Sequence, residues 1–201
     1  MIVYIETNGI IDLALKQEKA KYTRQLIRLA KANVIQLGVP AVSIAEAYYP
    51  LRERIDKFGT YLEQTQLLIR DLGRSTAKAY VELVRAANPL EAQLTVLLDK
   101  ERISLDDCVS AVTRIANIIP LTDQVLAQAL RLKKALNLTE FDAMVCASIV
   151  LHAGNLQLPR MAFLSFDEEL VRKSSARLRK AGIVSFSNPQ ACIDYVKRFA
   201  I

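Results

Sequence analysis

The chain has no tryptophan, one histidine, three cysteines, six glycines and six prolines in 201 residues. Gly and Pro stand at about half their usual share, which argues against collagen-like repeats, disorder and turn-rich all-β folds. Cys108, Cys146 and Cys192 are odd in number, sit in apolar surroundings and make no C-x-x-C spacing. Neither a disulfide framework nor, beside a single histidine, a zinc site is expected. That histidine, His152, ends an apolar helical segment and reads as a satisfied edge residue rather than the base of a Cys–His pair. The longest nearly unbroken apolar stretch, Ala143 to Leu151, falls far below the roughly 20 residues that span a bilayer. Met1 to Ile5 reads as a short strand, not as a charged segment leading into a long apolar one, so no export signal and a soluble cytoplasmic protein are expected.

What is present is 52% apolar and 24% charged residues, enough for one domain with a substantial core, with or without an inserted subdomain. Lys and Arg number 27 against 21 Asp and Glu, a net charge of +6. A polyanionic partner is permitted but not demanded.

Ile2-Val3-Tyr4-Ile5 is a β-rich run that ends abruptly at Glu6-Thr7-Asn8-Gly9, a buried strand delivering polar residues at its carboxyl end. Helical spacing follows from Ile10 to Ala32, with Arg24, Arg28 and Lys31 opposite Leu26, Ile27 and Ala30. Val34–Leu37 and Val39–Val42 predict a strand and its edge, and Ser43 a cap for a helix with Glu46 in its first turn. Leu51 to Ile118 is helical by pattern, with breaks expected at Gly59, Gly73, Asn88-Pro89 and before Ser104, where Ser104-x-x-Asp107 is a plausible cap. Ile118–Leu121 predicts a strand, Thr122 caps a helix to Leu136, and Thr139 caps a second with Asp142 in its first turn. Met161–Ser165 is a strand ending in Ser165-Phe166-Asp167, followed by a helix over 168–180, a strand over 183–186 and a helix over 189–199. Strands alternating with helices predict an α/β protein with a mainly parallel sheet covered on both faces.

Four carboxylates, Glu6, Glu46, Asp142 and Asp167, each follow a strand's carboxyl end or open the next helix. In a parallel sheet those ends share one edge, so residues distant in sequence can meet in one crevice. Four such charges would repel unless protons or cations compensated them. Oxygen ligands without His or Cys favour hard ions, Mg²⁺ or Mn²⁺ rather than zinc. Taken singly, an acid such as Glu46 or Asp142 at a helix start is more often just a favourable partner of the helix dipole. Asp12, Asp106, Asp107 and Asp123 read as caps or surface charges.

IETN at the N-terminus, the acid in VSIAEAYY, FDAMVCASIV, and SFD, in that order, resemble the motifs of PIN-domain nucleases. The resemblance covers residues 1–15, 39–50 and most of 118–190, and it implies a three-layer α/β/α fold with a mainly parallel central sheet. It makes 1–201 a single PIN-like domain with 51–117 as a helical insertion longer than small PIN domains carry. It further implies a metal-dependent endonuclease, commonly acting on RNA, with Glu6, Glu46, Asp142 and Asp167 as catalytic metal ligands for Mg²⁺ or Mn²⁺. Thr7, Asn8 and Ser165 match accompanying polar positions that would orient the acids, although ordinary capping explains them as well. Glu6 departs from the family, which most often has Asp there, and lengthens the side chain by one methylene.

Arg172, Lys173, Arg177, Arg179 and Lys180, with Arg24, Arg28 and Lys31, could flank such a crevice and hold phosphates, or could be solvated helix faces. Tyr48 and Tyr49 could stack on a base, but consecutive helical positions face apart, and both stay outside the expected site. The expected function is a metal-dependent endoribonuclease, as the toxin of a toxin–antitoxin pair, with RNA, an antitoxin protein and a second copy of the chain as partners. The alternative is a catalytically weak or inactive PIN-like module that binds RNA or protein. An aspartyl phosphatase would need paired aspartates that Glu6-Thr7-Asn8 does not supply.

Overall fold

Ile2–Ile5 (β1) is buried at every residue and takes the centre of a five-stranded, all-parallel sheet in the order β3-β2-β1-β4-β5. The other strands are Gln36–Pro40 (β2), Asn117–Ile119 (β3), Met161–Leu164 (β4) and Ile183–Phe186 (β5). The structure is a computed structural model that describes residues 1–74, 77–156 and 158–200. Unbroken apolar runs such as IVYI and MAFL suit strands covered on both faces.

The helices are Thr7–Ala14 (α1), Ala20–Lys31 (α2), Ala41–Leu72 (α3), Lys78–Thr113 (α4), Asp123–Leu136 (α5), Glu140–Leu156 (α6), Glu168–Lys180 (α7) and Pro189–Ala200 (α8). One face of the sheet presents Ile2, Tyr4, Met161, Phe163 and Ile183 to a core shared with α5, α6 and α7. α6 is apolar nearly all round, as a helix enclosed by a sheet and its neighbours must be. On the other side α8 packs on β4, β5 and α2, and α2 packs on α1 and β2. The result is the expected three-layer α/β/α arrangement. No single helix among the described residues is long and apolar enough to cross a membrane.

Local detail locks the register. Tyr4 pairs with Gly38, and a Cβ at residue 38 would lie 2.6 Å from Tyr4 Cδ1, so only glycine lets the ring cross the neighbouring strand. The Tyr4 hydroxyl lies 3.0 Å from His152 Nδ1, and His152 Nε2 lies 3.1 Å from Asn117 Nδ2. His152 is therefore the satisfied residue expected, with both ring nitrogens partnered.

The chain forms two compact units, Met1–Ala47 with Leu105–Ile201, and Tyr48–Ser104. The second consists of the inner parts of α3 and α4, and the Arg54 guanidinium ties them together through both oxygens of Glu101 at 3.0 and 2.8 Å. In the first, Leu105, Cys108 and Val112 of α4 are buried, and the Cys108 thiol points to the Ile10 carbonyl at 3.7 Å.

Several local expectations are corrected. The helix expected over Ile10–Ala32 is two helices, parted by a turn with Lys16 in the left-handed region at φ 55. No Gly or Pro marks that turn, so periodicity ran through it. β2 ends at Pro40 and Val42 belongs to α3, which begins at Ala41. Ser43 is thus not a cap but a buried residue inside the helix, and Glu46 falls in the second turn rather than the first. Helix breaks at Gly59, at Asn88-Pro89 and before Ser104 do not occur, and Ser104-x-x-Asp107 lies within α4. An exposed glycine costs only about 1 kcal/mol in a helix, and Pro89 removes one backbone hydrogen bond without ending a 36-residue helix. The break at Gly73 is present. β3 is Asn117–Ile119, shorter and earlier than the expected 118–121.

Candidate functional site

β1 and β4 are neighbours, but the chain leaves β1 towards β2 and β3 and returns to β4 and β5 on the opposite side. Their carboxyl ends therefore flank the place where the strand order reverses, the usual ligand crevice of an open parallel sheet. Glu6 stands there, directly after β1, and is 4% exposed. Its backbone is extended and it caps α1: Oε2 accepts from the Asn8 amide at 2.7 Å. Oε1 accepts from the Ser165 hydroxyl at 3.2 Å and the Phe166 amide at 3.4 Å, so the carboxylate bridges the ends of β1 and β4. Burial pushes the Glu6 carboxyl up to about 7, against the pull of these donors and with a further push from Glu46.

Glu46 arrives from α3. The Thr7 hydroxyl donates to Glu46 Oε2. Burial raises the Glu46 carboxyl above its ordinary value, the Thr7 hydrogen bond opposes the shift, and the charge of Asp142 adds to it. Asp142 is held by Thr139 in a reciprocal cap: the Thr139 hydroxyl donates to Asp142 Oδ2 at 2.7 Å and accepts from the Asp142 amide at 3.2 Å. Glu6, Glu46 and Asp142, 136 residues apart at the extremes, are thus coupled electrostatically in sequence: Glu46 acts on Glu6 and Asp142 acts on Glu46. Among the described residues none of the three is ion-paired with a lysine or arginine.

Asp167 is placed differently. Its Oδ1 accepts from the Glu169 and Leu170 amides at 2.8 and 3.0 Å, capping α7, and its own amide donates to Ser165 Oγ at 3.0 Å. It joins the other acids through Ser165, which bonds Glu6 on one side and Asp167 on the other. Thr7 and Ser165 bond the acids through their side chains, whereas Asn8 does so through its backbone amide.

An all-oxygen, unneutralised group of partly buried carboxylates has the donor chemistry that a hard divalent ion takes. Glu6, Glu46 and Asp142 fit that chemistry. As the side chains stand, no three acidic, histidine or cysteine groups among the described residues surround one point. An ion would have to gather them.

The cations separate into two sets. Lys173 donates to the Asn137 carbonyl at 2.6 Å and pairs with Glu169 at 2.8 Å, and Arg172 lies 3.8 Å from the same carboxylate. Arg24, Arg28 and Lys31 are exposed on α2 and enter no ion pair among the described residues. Lys19 was not legible as a site neighbour, yet its ammonium lies 5.2 Å from the centre of the Phe166 ring, over the residue whose amide holds Glu6. The cysteines are inert: burial pushes Cys108 up to about 11 and Cys146 and Cys192 up to about 12.

No family model matches the chain, and no curated protein sequence does. Among solved structures it is similar to VapBC2 from Rickettsia felis, crystallised with a DNA fragment from their promoter, at 13% identity over 92% of this chain and 99% of that one, with a TM-score of 0.47. It is also similar to PAE2754 from Pyrobaculum aerophilum, at 14% identity over 98% and 99%, with a TM-score of 0.46.

Proposed function

We propose that the protein is a divalent-metal-dependent endoribonuclease that hydrolyses RNA phosphodiester bonds at the crevice between β1 and β4. The observation that carries this reading is the coupled set Glu6, Glu46 and Asp142 at the carboxyl edge of a parallel sheet, with no lysine or arginine of the described residues neutralising it. Glu46 and Asp142 would hold the ion, together with the lone pair of Glu6 Oε2 that the Asn8 amide leaves free. Bound Mg²⁺ or Mn²⁺ supplies Lewis-acid stabilisation of the developing phosphoryl charge and acidifies water. Thr7 fixes the orientation of Glu46, and Ser165 with the Asn8 and Phe166 amides fixes that of Glu6. Asp167, committed to the start of α7, supports the centre through Ser165. The sequence resemblance to PIN-domain nucleases adds the finer parts of the proposal: a toxin of a toxin–antitoxin pair, an antitoxin protein as partner, a homodimer and a cytoplasmic place of action.

Cleavage of labelled single-stranded RNA in Mg²⁺, Mn²⁺ or excess chelator tests it. Metal-dependent cutting is expected, lowered more than about 100-fold by Asp142→Asn, since even residues that only orient a ligand are worth 10–100-fold. Mn²⁺ should raise the melting temperature of the wild type and not of that variant. Cutting that survives both chelator and Asp142→Asn would sink the proposal. One observation favours a second reading, an inactive module that binds RNA or protein: Glu6 spends both oxygens on donors of its own chain. In that case no variant cuts, and Mn²⁺ leaves the melting temperature unmoved. If the longer Glu6 side chain merely limits the centre, Glu6→Asp gains activity.

A further inference from the structure

We infer that the groove between α2 and the turn from β5 into α8 is a track for the backbone of single-stranded RNA, leading to the carboxylate centre; this rests on the nuclease reading above. Two clefts of about 370 and 670 Å³ lie end to end here and share Lys21, Tyr22 and Gln190. The first cleft comes up beside the centre without containing its acids: its lining includes Lys19, which sits over Phe166, and Glu168, which follows Asp167. The second runs outward past Gln25 and Arg28.

The charge along the groove is graded. Glu18 and Glu168 accompany Lys19 and Lys21 in the inner cleft, whereas the outer cleft has Lys21 and Arg28 and no acid. Lys21, Arg24, Arg28 and Lys31 recur at i, i+3, i+7 and i+10, which puts all four on one stripe of α2, about 15 Å long. All four are exposed, and none is ion-paired among the described residues. A favourable position near the helix C-terminus accounts for Arg28 and Lys31 but not for Lys21 and Arg24. An unpaired row of cations matches a chain of phosphates, while the side chains of Asn188 and Gln190 beside it are engaged by the Ala191 amide and the Asp194 carboxylate. Tyr22, whose ring lies 5.0 Å from Lys21 Nζ and lines both clefts, offers a face on which an unpaired base can stack. That ring selects a single strand over a duplex, whose bases are already stacked.

The test is fluorescence anisotropy of a short labelled oligouridine in excess chelator, across a KCl series, on the full chain. Lys21→Glu combined with Arg28→Glu should raise Kd more than tenfold and reduce the slope of log K against log salt by about 1.4, at roughly 0.7 for each lost phosphate contact. Tyr22→Ala should weaken binding about fivefold or more. Lys134→Glu, exposed in the last turn of α5, should change neither quantity. Melting temperatures report that the variants fold. Unchanged Kd and slope in the double variant, an equal loss from Lys134→Glu, or tighter binding of duplex than of single strands would overturn the track. A double variant that binds and cuts RNA as the wild type does refutes the track and leaves the nuclease standing. Loss of RNA binding in the double variant of a protein that never cuts does the reverse.

Discussion

In the α/β unit large side chains such as Tyr4, Phe163, Ile149 and Leu178 are less than 2% exposed. Along 48–104 the order is reversed: Tyr61, Leu67, Leu68, Val96, Leu97 and Ile103 stand between 51 and 65% exposed. Helices in the second region rest on backbone hydrogen bonds within each helix and on local pairs such as Lys57 with Glu53, joined by the Arg54–Glu101 ion pair. The α/β unit rests on contacts between residues far apart in the chain, and its polar chemistry has the same origin. Ser165 reaches Glu6, and the charge of Asp142 acts on Glu46, only because strands and helix starts converge. Non-local packing is what brings charged groups together under burial, and so the α/β unit holds the candidate site.

This contrast can be broken most directly by truncating one apolar residue in each region. Phe163→Ala should cost about 3–5 kcal/mol through the cavity it leaves, and Leu97→Ala, half exposed, should stay within about 0.5 kcal/mol. Urea unfolding measures both, and similar losses would mean that the second region has a buried core of its own kind.

A smaller effect comes from the buried carboxyl. Glu6 titrates near 7 in the folded chain against an ordinary value of 4.5, so the folded state binds the proton more tightly than the unfolded one. Its contribution is fully present below about pH 4.5 and is lost as pH rises through 7. By pH 8 the loss in metal-free protein approaches about 3 kcal/mol. Glu6→Gln, which cannot ionise, should flatten the stability profile between pH 5 and 8; parallel profiles for variant and wild type would refute the buried-charge account. At the low end, a double-mutant cycle on Arg54 and Glu101 should return only about 0.2–1 kcal/mol, since the pair is partly exposed. A larger coupling would show that the helical region relies on it.

Much of the α/β unit was legible beforehand, because strands such as IVYI and MAFL announce themselves by burial pattern and helices by their caps. Thr122 accepts from the Val125 amide and Thr139 from the Asp142 amide as expected. The acids were legible as candidates for a related reason: a carboxylate directly after a buried strand is conspicuous. Less legible were features whose cause is not local. Helix α3 begins at Ala41 rather than after Ser43, and the turn at Lys16 carries no glycine or proline. The passage of α4 through Pro89 and Ser104 contradicts the usual punctuation.

The same division runs through the site. The order of acids along the chain, the apolar strands that precede them and the scarcity of His and Cys were determined by sequence, since each depends on neighbours within a few residues. Which acids interact was decided by tertiary structure. Asp167 turned its carboxylate to its own helix, Glu46 met Thr7 and Asp142, and Glu6 spanned the gap between β1 and β4. Lys19, Lys21 and Tyr22 gained their meaning from α2 lying against the turn before α8. A helix or strand period specifies which face a residue occupies; only the packing of elements distant in sequence sets what that face meets, and electrostatic coupling depends on that distance.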